Sequence, residues 1–189
     1  MVAISDWTVQ HNQRNVTCGQ WATEPEARDE IERFIRANGA FRTYREQHGE
    51  PLWKHHFQTQ DKENFRADLL LLPNDPVIEA GWNDGAIVIE VKRSGKKIGR
   101  GISQLIDYMN GTFYIEGGIA VVPSWGFLFP AVKQAEAIAS VMAQQRLGTV
   151  TLKHGELDFY CGETRVLSIG GPGDVRLGKR DIGRRLGAR

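Results

Sequence analysis

The feature of this sequence that most constrains its fold is a pair of aliphatic segments that each contain a charged residue. Residues 65–72 carry Asp68, and residues 86–91 carry Glu90 with Lys92 directly after the segment. Short apolar runs bounded by turn residues predict buried β-strands. Because side chains alternate along a strand, Glu90 and Lys92 point to one face, about 6.6 Å apart along the chain. Acids are depleted from strands and lysine is rarely buried alone, so these three residues need a chemical explanation.

A divalent metal site is the explanation that we favour. Two carboxylates that converge at a strand end provide oxygen ligands for a hard cation such as Mg²⁺. Such a cation lowers the pKa of a bound water and offsets charge on a phosphate group, and Lys92 would orient that water or stabilise the developing negative charge. The alternative is a buried ion pair between the acids and Lys92. Desolvation then costs several kcal/mol per ion and often exceeds the Coulombic gain.

A helical pattern follows the second segment, ends at Gly111 and carries Gln104 and Tyr108 one turn apart. With Asp68, a spacer, Glu90-Val-Lys92 and then this helix, the chain resembles the PD-(D/E)XK nuclease superfamily. That superfamily includes restriction endonucleases, archaeal Holliday-junction resolvases and exonucleases of the lambda and RecB types. The resemblance covers roughly residues 23–122, and it departs from the usual pattern at Ala67, where the superfamily often has proline.

The resemblance implies an α/β fold of the restriction-endonuclease-like type. We expect a mixed central sheet flanked by helices, with the core order αβββαβ and a C-terminal helix and β-hairpin added. The last core strand is expected at residues 117–123, beside the strand that carries Glu90. The implied activity is Mg²⁺- or Mn²⁺-dependent hydrolysis of DNA phosphodiester bonds. The implied metal ligands are Asp68, Glu90 and the Val91 carbonyl, with Lys92 as a catalytic residue and Gln104 in support.

The first helix offers a third acid for the site. Thr23 and Glu26 have the spacing of a capping box, and Gly39 ends the helix. In the resembled families a glutamate near the start of this helix often completes the metal shell. Glu24 falls among the apolar positions that face the sheet, whereas Glu30 lies at the margin of that stripe. Glu26 is expected to be used by the cap. The alternative for Glu24 is a favourable charge at the helix N-terminus, worth about 0.3–1 kcal/mol.

A basic loop leaves the Glu90 strand, with five basic residues among residues 92–100. Loops of this kind are often only solvated, but its position favours contacts with DNA phosphates, which give affinity without sequence information. The predicted nucleic-acid contacts are Arg93, Lys96, Lys97, Arg100 and Tyr108.

Composition adds few constraints. The chain has 189 residues, a net charge of +1 and two lone cysteines, Cys18 and Cys161. We expect a reducing, cytoplasmic setting without a membrane span or an organic cofactor. DNA is the expected partner, and a homodimer would cut both strands of a duplex more easily than a monomer. The predicted division is an N-terminal arm at 1–22, a nuclease-like domain at 23–169 and a basic flexible tail at 170–189.

Other segments give predictions that the structure can test. A strand is expected from residue 41, with a turn at 48–51 before a second strand at 52–59. An alanine-rich helix is expected at 131–147, ended by Gly148, and short strands at 149–153, 157–161 and 165–169. Three rival interpretations stay open: an inactive DNA- or protein-binding module of the same fold, a nuclease acting on RNA, and a purely structural chain with buried ion pairs. Recombination, repair, restriction or a mobile element is the setting that the resemblance suggests.

Overall fold

The chain is an α/β protein whose strands form one open sheet, seen in a computed structural model that describes residues 21–51, 65–92, 98–131, 135 and 138–178. Within those residues the sheet has ten strands in the order β10-β9-β8-β7-β6-β3-β2-β1-β4-β5. The strands are β1 Phe41–Pro51, β2 Phe65–Pro73, β3 Ala86–Val91, β4 Gly111–Ile115, β5 Ile119–Val121, β6 Pro123–Phe129, β7 Leu147–Lys153, β8 Glu156–Cys161, β9 Thr164–Ile169 and β10 Val175–Leu177. The helices are α1 Glu24–Asn38, α2 Asp75–Glu79, α3 Ile98–Met109 and α4 Ala139–Gln144, with a short 3-10 helix at Glu116–Gly118.

Helix α1 has the ends that its sequence predicts. The Thr23 side chain accepts a hydrogen bond from the Glu26 backbone N–H, and the Glu26 carboxylate accepts one from the Thr23 N–H, which completes the capping box. Gly39 ends the helix with φ 79°, in the left-handed region that glycine enters without steric cost. The predicted apolar stripe is confirmed, since its four members are buried: Ala27, Ile31, Phe34 and Ile35.

The centre of the sheet is covered on both faces. Strand β2 pairs antiparallel with β1 and β3, and β3 pairs parallel with β6. Alternate residues of β3 divide between two cores: Ile87 and Ile89 pack in the core that contains the α1 stripe, whereas Val88 packs in the core of α3. Both faces of β3 are therefore buried, and this is why the strand is aliphatic except at Glu90.

The strand beside β3 differs from the one that the sequence predicts. The predicted last core strand at 117–123 is wrong, because β5 lies at the far edge of the sheet, paired with β4. The parallel neighbour of β3 is β6. Ile119 of β5 is 59% exposed, whereas Phe127 and Phe129 of β6 are fully buried. The larger apolar area of the aromatic segment explains why it takes the central position.

Two predicted breaks in regular structure are wrong for a shared reason. The expected turn at 48–51 lies inside β1, and Gly148, expected to end a helix, lies inside β7. At each position a side chain would collide: a Cβ at Gly49 would lie 2.4 Å from Phe65 Cε2, and one at Gly148 would lie 2.0 Å from the Tyr160 carbonyl oxygen. These glycines permit close approach within the sheet.

The C-terminal strands extend the same sheet. The predicted strands at 149–153, 157–161 and 165–169 are confirmed as β7, β8 and β9, and β7 pairs parallel with β6. Within the segment predicted as a helix at 131–147, the structure has a shorter helix at Ala139–Gln144. Strand β10 falls within the predicted tail, and Asn38 holds this segment through its amide, 2.6 Å from the Gly171 oxygen. Residues 1–20, 52–64 and 179–189 lie outside the described residues. No helix in the described part is long and apolar enough to cross a membrane.

Candidate active site

Asp68 lies where β2 and β3 stop pairing. The antiparallel register runs from Leu71↔Ile87 to Leu69↔Ile89, and Asp68 is the next residue of β2. Its Oδ2 accepts a hydrogen bond from the Val91 backbone N–H at 2.8 Å. A side-chain carboxylate thus continues the cross-strand bonding, and this fixes Asp68 against the strand that carries Glu90.

Glu90 and Lys92 form a buried ion pair on the α3 face of the sheet. Their side chains are 3% and 10% exposed, and Lys92 Nζ contacts Glu90 Oε1. Lys92 Nζ also donates to the Val91 carbonyl at 3.2 Å. Its backbone is fixed as well, because the Lys92 N–H donates to the Phe129 carbonyl of β6 at 2.8 Å. The predicted placement of these two residues on one face is confirmed.

Helix α3 can pack close to Lys92 because it has a glycine, Gly101, at the point of contact. A Cβ at Gly101 would lie 2.9 Å from Leu128 Cδ1 and 3.1 Å from Lys92 Cγ. The helix therefore lies close against the lysine stem at Gly101. The sequence predicts this helix but does not single out the glycine.

Tyr108 holds the second oxygen of Glu90. The Tyr108 hydroxyl lies 2.9 Å from Glu90 Oε2 and 2.8 Å from the Arg66 carbonyl oxygen, so its single proton has two acceptors. The ring is 1% exposed and packs against Phe65 and Phe113 at centroid distances of 5.4 and 6.0 Å. The sequence predicts Tyr108 as a nucleic-acid contact, whereas the structure buries it as a partner of Glu90.

Gln104 lies one turn before Tyr108, and its Nε2 is 3.4 Å from the Tyr108 hydroxyl. Its Oε1 atom is buried, and within the described part of the chain it has no hydrogen-bond partner. A buried acceptor without a donor is costly. The glutamine oxygen, which has no donor among the described residues, can therefore accept a hydrogen bond from a bound group.

The electrostatics of the cluster are dominated by burial. Desolvation, followed by the charge of Asp68, raises the pKa of Glu90 to about 7, and these effects outweigh the opposing ones of Lys92 and Tyr108. Desolvation and the Glu90 charge also raise the pKa of Tyr108, so the phenol remains a donor. An acid of β2 thus contributes to the raised pKa of an acid of β3.

Three residues of the cluster, Arg28, Glu46 and Arg66, are not anticipated by the sequence. Arg28 of α1 places NH1 2.6 Å from Glu46 Oε1 and 3.5 Å from Asp68 Oδ1. Arg66 NH1 is 3.6 Å from the other carboxylate oxygen of Glu46, Oε2. No local pattern reveals these pairs, because Arg28 is 40 residues from Asp68 in sequence.

The candidate third acids lie on α1. Glu24 is half-buried in the first turn, and its spacing of four residues places it on the same side of the helix as Arg28. Glu26 caps the helix as expected, and Glu30 pairs with Arg33. Of the predicted DNA contacts, Arg100 is exposed on α3, and Arg93, Lys96 and Lys97 lie outside the described residues.

The donor set suits a hard cation in kind: carboxylate oxygens of Asp68 and Glu90, the Val91 carbonyl and the orphaned Gln104 oxygen. Among the described residues, no group of three or more His, Cys, Asp or Glu side chains is arranged to hold a metal ion. A cation here would therefore rely on the two acids, on carbonyl oxygens and on water. Comparison with protein-family models, with curated proteins and with solved structures gives no match for this chain.

Proposed function

We propose that this protein is a Mg²⁺- or Mn²⁺-dependent nuclease that hydrolyses DNA phosphodiester bonds. The observation that carries the proposal is that two acids from different strands lie side by side: the Val91 N–H holds Asp68 next to Glu90, and Lys92 pairs with Glu90. A buried carboxylate such as Glu90, placed beside a second acid, costs free energy. A buried acid with a raised pKa, such as Glu90, is found more often at functional sites than elsewhere.

The chain's own groups would position the reacting atoms. Asp68, Glu90 and the Val91 carbonyl would hold the cation, which when bound supplies a water of lowered pKa and offsets phosphate charge. The Val91 N–H and the Tyr108 hydroxyl fix the two carboxylates. The backbone and the aliphatic part of the Lys92 side chain are fixed by their contacts. Lys92 would thereby place its ammonium group where negative charge develops on the phosphate.

Gln104 would serve the substrate side of the site. Its Oε1, which has no partner within the described ranges, can accept a hydrogen bond from a water next to the scissile phosphate. Arg100, exposed on the same helix, supplies a positive charge for the nucleic-acid backbone.

The finer description of the fold is part of this proposal. A restriction-endonuclease-like core would consist of α1, β1 to β3, α3 and β6, with the β4–β5 hairpin inserted between α3 and β6. In its support, α1 and α3 cover opposite faces of the central strands, and β6 lies parallel to β3.

One observation favours a second candidate, an inactive binding module of the same fold. Each acid already has a cationic side chain of the protein near it, since Arg28 NH1 lies 3.5 Å from Asp68 Oδ1 and Lys92 pairs with Glu90. Such pairs lessen the need for a metal ion. Divalent-cation calorimetry distinguishes the two candidates, because an inactive module would show no cation binding that depends on Asp68 and Glu90.

The decisive experiment is a cleavage assay on linear, circular, single-stranded and branched DNA and on RNA, with Mg²⁺, Mn²⁺ or EDTA. Cation-dependent cleavage that is lost in Asp68→Asn, Glu90→Gln and Lys92→Met supports the proposal. Glu32→Gln is the matched control, because Glu32 is a buried, ion-paired acid of α1 that pairs with Arg36 at 2.8 Å. Cleavage retained in any two site variants, or unaffected by EDTA, would contradict it.

A further inference from the structure

We propose that Arg28 and Glu46 form a two-position switch in which Glu46 holds the Arg28 guanidinium back from Asp68 and so leaves one carboxylate oxygen for a divalent cation. This inference rests on the proposed function, because it concerns cation binding at the same site. It assigns to Arg28 and Glu46 a positioning role in loading the site.

The Arg28 guanidinium lies much closer to Glu46 than to Asp68. Arg28 NH1 is 2.6 Å from Glu46 Oε1 but 3.5 Å from Asp68 Oδ1. The first distance is that of a strong charge-assisted hydrogen bond, and the second is at the limit of any hydrogen bond. The same nitrogen thus binds Glu46 and only approaches Asp68.

The two oxygens of Asp68 differ accordingly. Oδ2 is committed to the Val91 N–H at 2.8 Å, whereas Oδ1 has the distant Arg28 contact. Oδ1 is therefore the atom that a cation can take without breaking the cross-strand bond. It is also the atom that Arg28 would cover if it moved less than 1 Å closer to a normal bonding distance.

The backbone at Glu46 is shaped for this task. Pairs Arg45↔Leu69 and Gln47↔Ala67 flank it, which places Glu46 opposite Asp68 on the neighbouring strand. Its φ is 49°, in the left-handed region. A non-glycine residue there costs on the order of 1–3 kcal/mol and persists where the surroundings impose it. The strain lies at the strand position that faces the catalytic acid.

Both partners are suited to a competition. Hydrogen bonding and charge from Arg28, with help from Arg66, lower the pKa of Glu46, so it stays ionised. The Arg28 side chain is 13% exposed, and its buried Nε has no partner in the part of the chain that is described. Its recorded contacts with the two acids both run through NH1, so a small rotation exchanges them. A guanidinium on Asp68 and a divalent cation on Asp68 oppose one another by like charge.

Calcium chloride is the probe, because Ca²⁺ binding can be followed by calorimetry in the absence of DNA. Wild type, Arg28→Met, Glu46→Gln and the double variant are titrated, with Arg36→Met as the control for loss of a paired arginine on the same helix. We expect Arg28→Met to tighten binding and Glu46→Gln to weaken it, each on the order of tenfold, which is about 1.4 kcal/mol.

The double variant distinguishes the switch from independent, additive effects of the two charges on cation affinity. If Glu46 acts through Arg28, Glu46→Gln changes the affinity less than about twofold once Arg28 is Met, and this is a non-additive cycle. Thermal unfolding checks that each variant is folded, and Arg28→Gln replaces Arg28→Met if the latter does not fold.

Each result has a distinct meaning. Opposite effects of the single variants with non-additivity support the switch. Loss of affinity in both single variants, no change in either, or strict additivity would overturn it while the proposed nuclease stands. Absence of Ca²⁺ binding in every protein, including Arg28→Met, would overturn both the switch and the cation-dependent function.

Discussion

The backbone N–H of Val91 donates a hydrogen bond to the carboxylate of Asp68 across 2.8 Å, just beyond the last paired residues of β2 and β3. An acid here can remain next to a buried strand because it accepts the bond of a backbone N–H, which would otherwise lose its partner. The same bond places Asp68 close enough to raise the pKa of Glu90. One contact therefore serves both the sheet and the site.

We expect Asp68→Asn to remove cation-dependent cleavage by at least about a hundredfold while leaving the fold intact. Asparagine keeps an oxygen that accepts from the Val91 N–H, but it lacks the charge that a cation requires. The measurement is single-turnover cleavage together with the thermal midpoint. If the cleavage rate and the thermal midpoint both fell, and fell by as much in Asp68→Asn as in Asp68→Ala, the role of Asp68 would be structural.

Glu90 makes stability depend on pH. Its pKa is about 7 in the folded protein against 4.5 for the ordinary carboxyl, so the native state binds more protons than the unfolded state between these values. Its contribution is fully present below about pH 4.5 and is lost as pH rises to about 7, a change of up to about 3 kcal/mol.

Urea unfolding in EDTA at pH 5 and pH 8 measures this effect. The loss of stability between the two pH values should be larger in wild type than in Glu90→Gln, because glutamine does not titrate. An equal loss in the two proteins would mean that Glu90 has an ordinary pKa.

Tyr108→Phe should lower the free energy of unfolding by about 1–3 kcal/mol, because the buried Glu90 carboxylate and the Arg66 carbonyl lose a donor. Tyr160→Phe is the matched control at a half-buried tyrosine of β8, and it should change stability by less than about 0.5 kcal/mol. Chemical denaturation of both variants tests the difference. Equal effects would show that the Tyr108 hydroxyl does not support Glu90.

Gly101→Ala should reduce cleavage on the order of tenfold, because the new methyl group would press on the Lys92 stem and on Leu128. Gly99→Ala in the same helix is the control, since a Cβ there meets nothing within 4 Å. It should stabilise the protein by about 0.5 kcal/mol and leave cleavage unchanged. Rates and unfolding midpoints are measured for both. Similar rates in the two variants would argue against Lys92 as the affected group.

Local patterns were sufficient for several parts of the fold and the site. The capping box at Thr23 and Glu26, the glycine at position 39 and the strand around Asp68 follow from preferences of neighbouring residues. The shared face of Glu90 and Lys92 follows from the two-residue period of a strand. Such features depend on backbone geometry over a few residues, and a single sequence contains that information.

Contacts between distant segments were decided by the tertiary structure. Which strand lies beside β3 depended on the apolar area of β6 compared with that of β5. The position of Arg28 at Asp68, and the burial of Tyr108 against Glu90, depend on how α1 and α3 pack on opposite faces of the sheet.

The sequence by itself therefore determined helix α1 with its caps, the strands around Asp68 and Glu90, and that Glu90 and Lys92 share one face of the sheet. The tertiary structure decided which cations and donors meet Asp68 and Glu90, and with that the raised pKa of Glu90. The physical reason is that desolvation and Coulombic interaction depend on distances between groups far apart in the chain, which periodicity along the sequence does not encode.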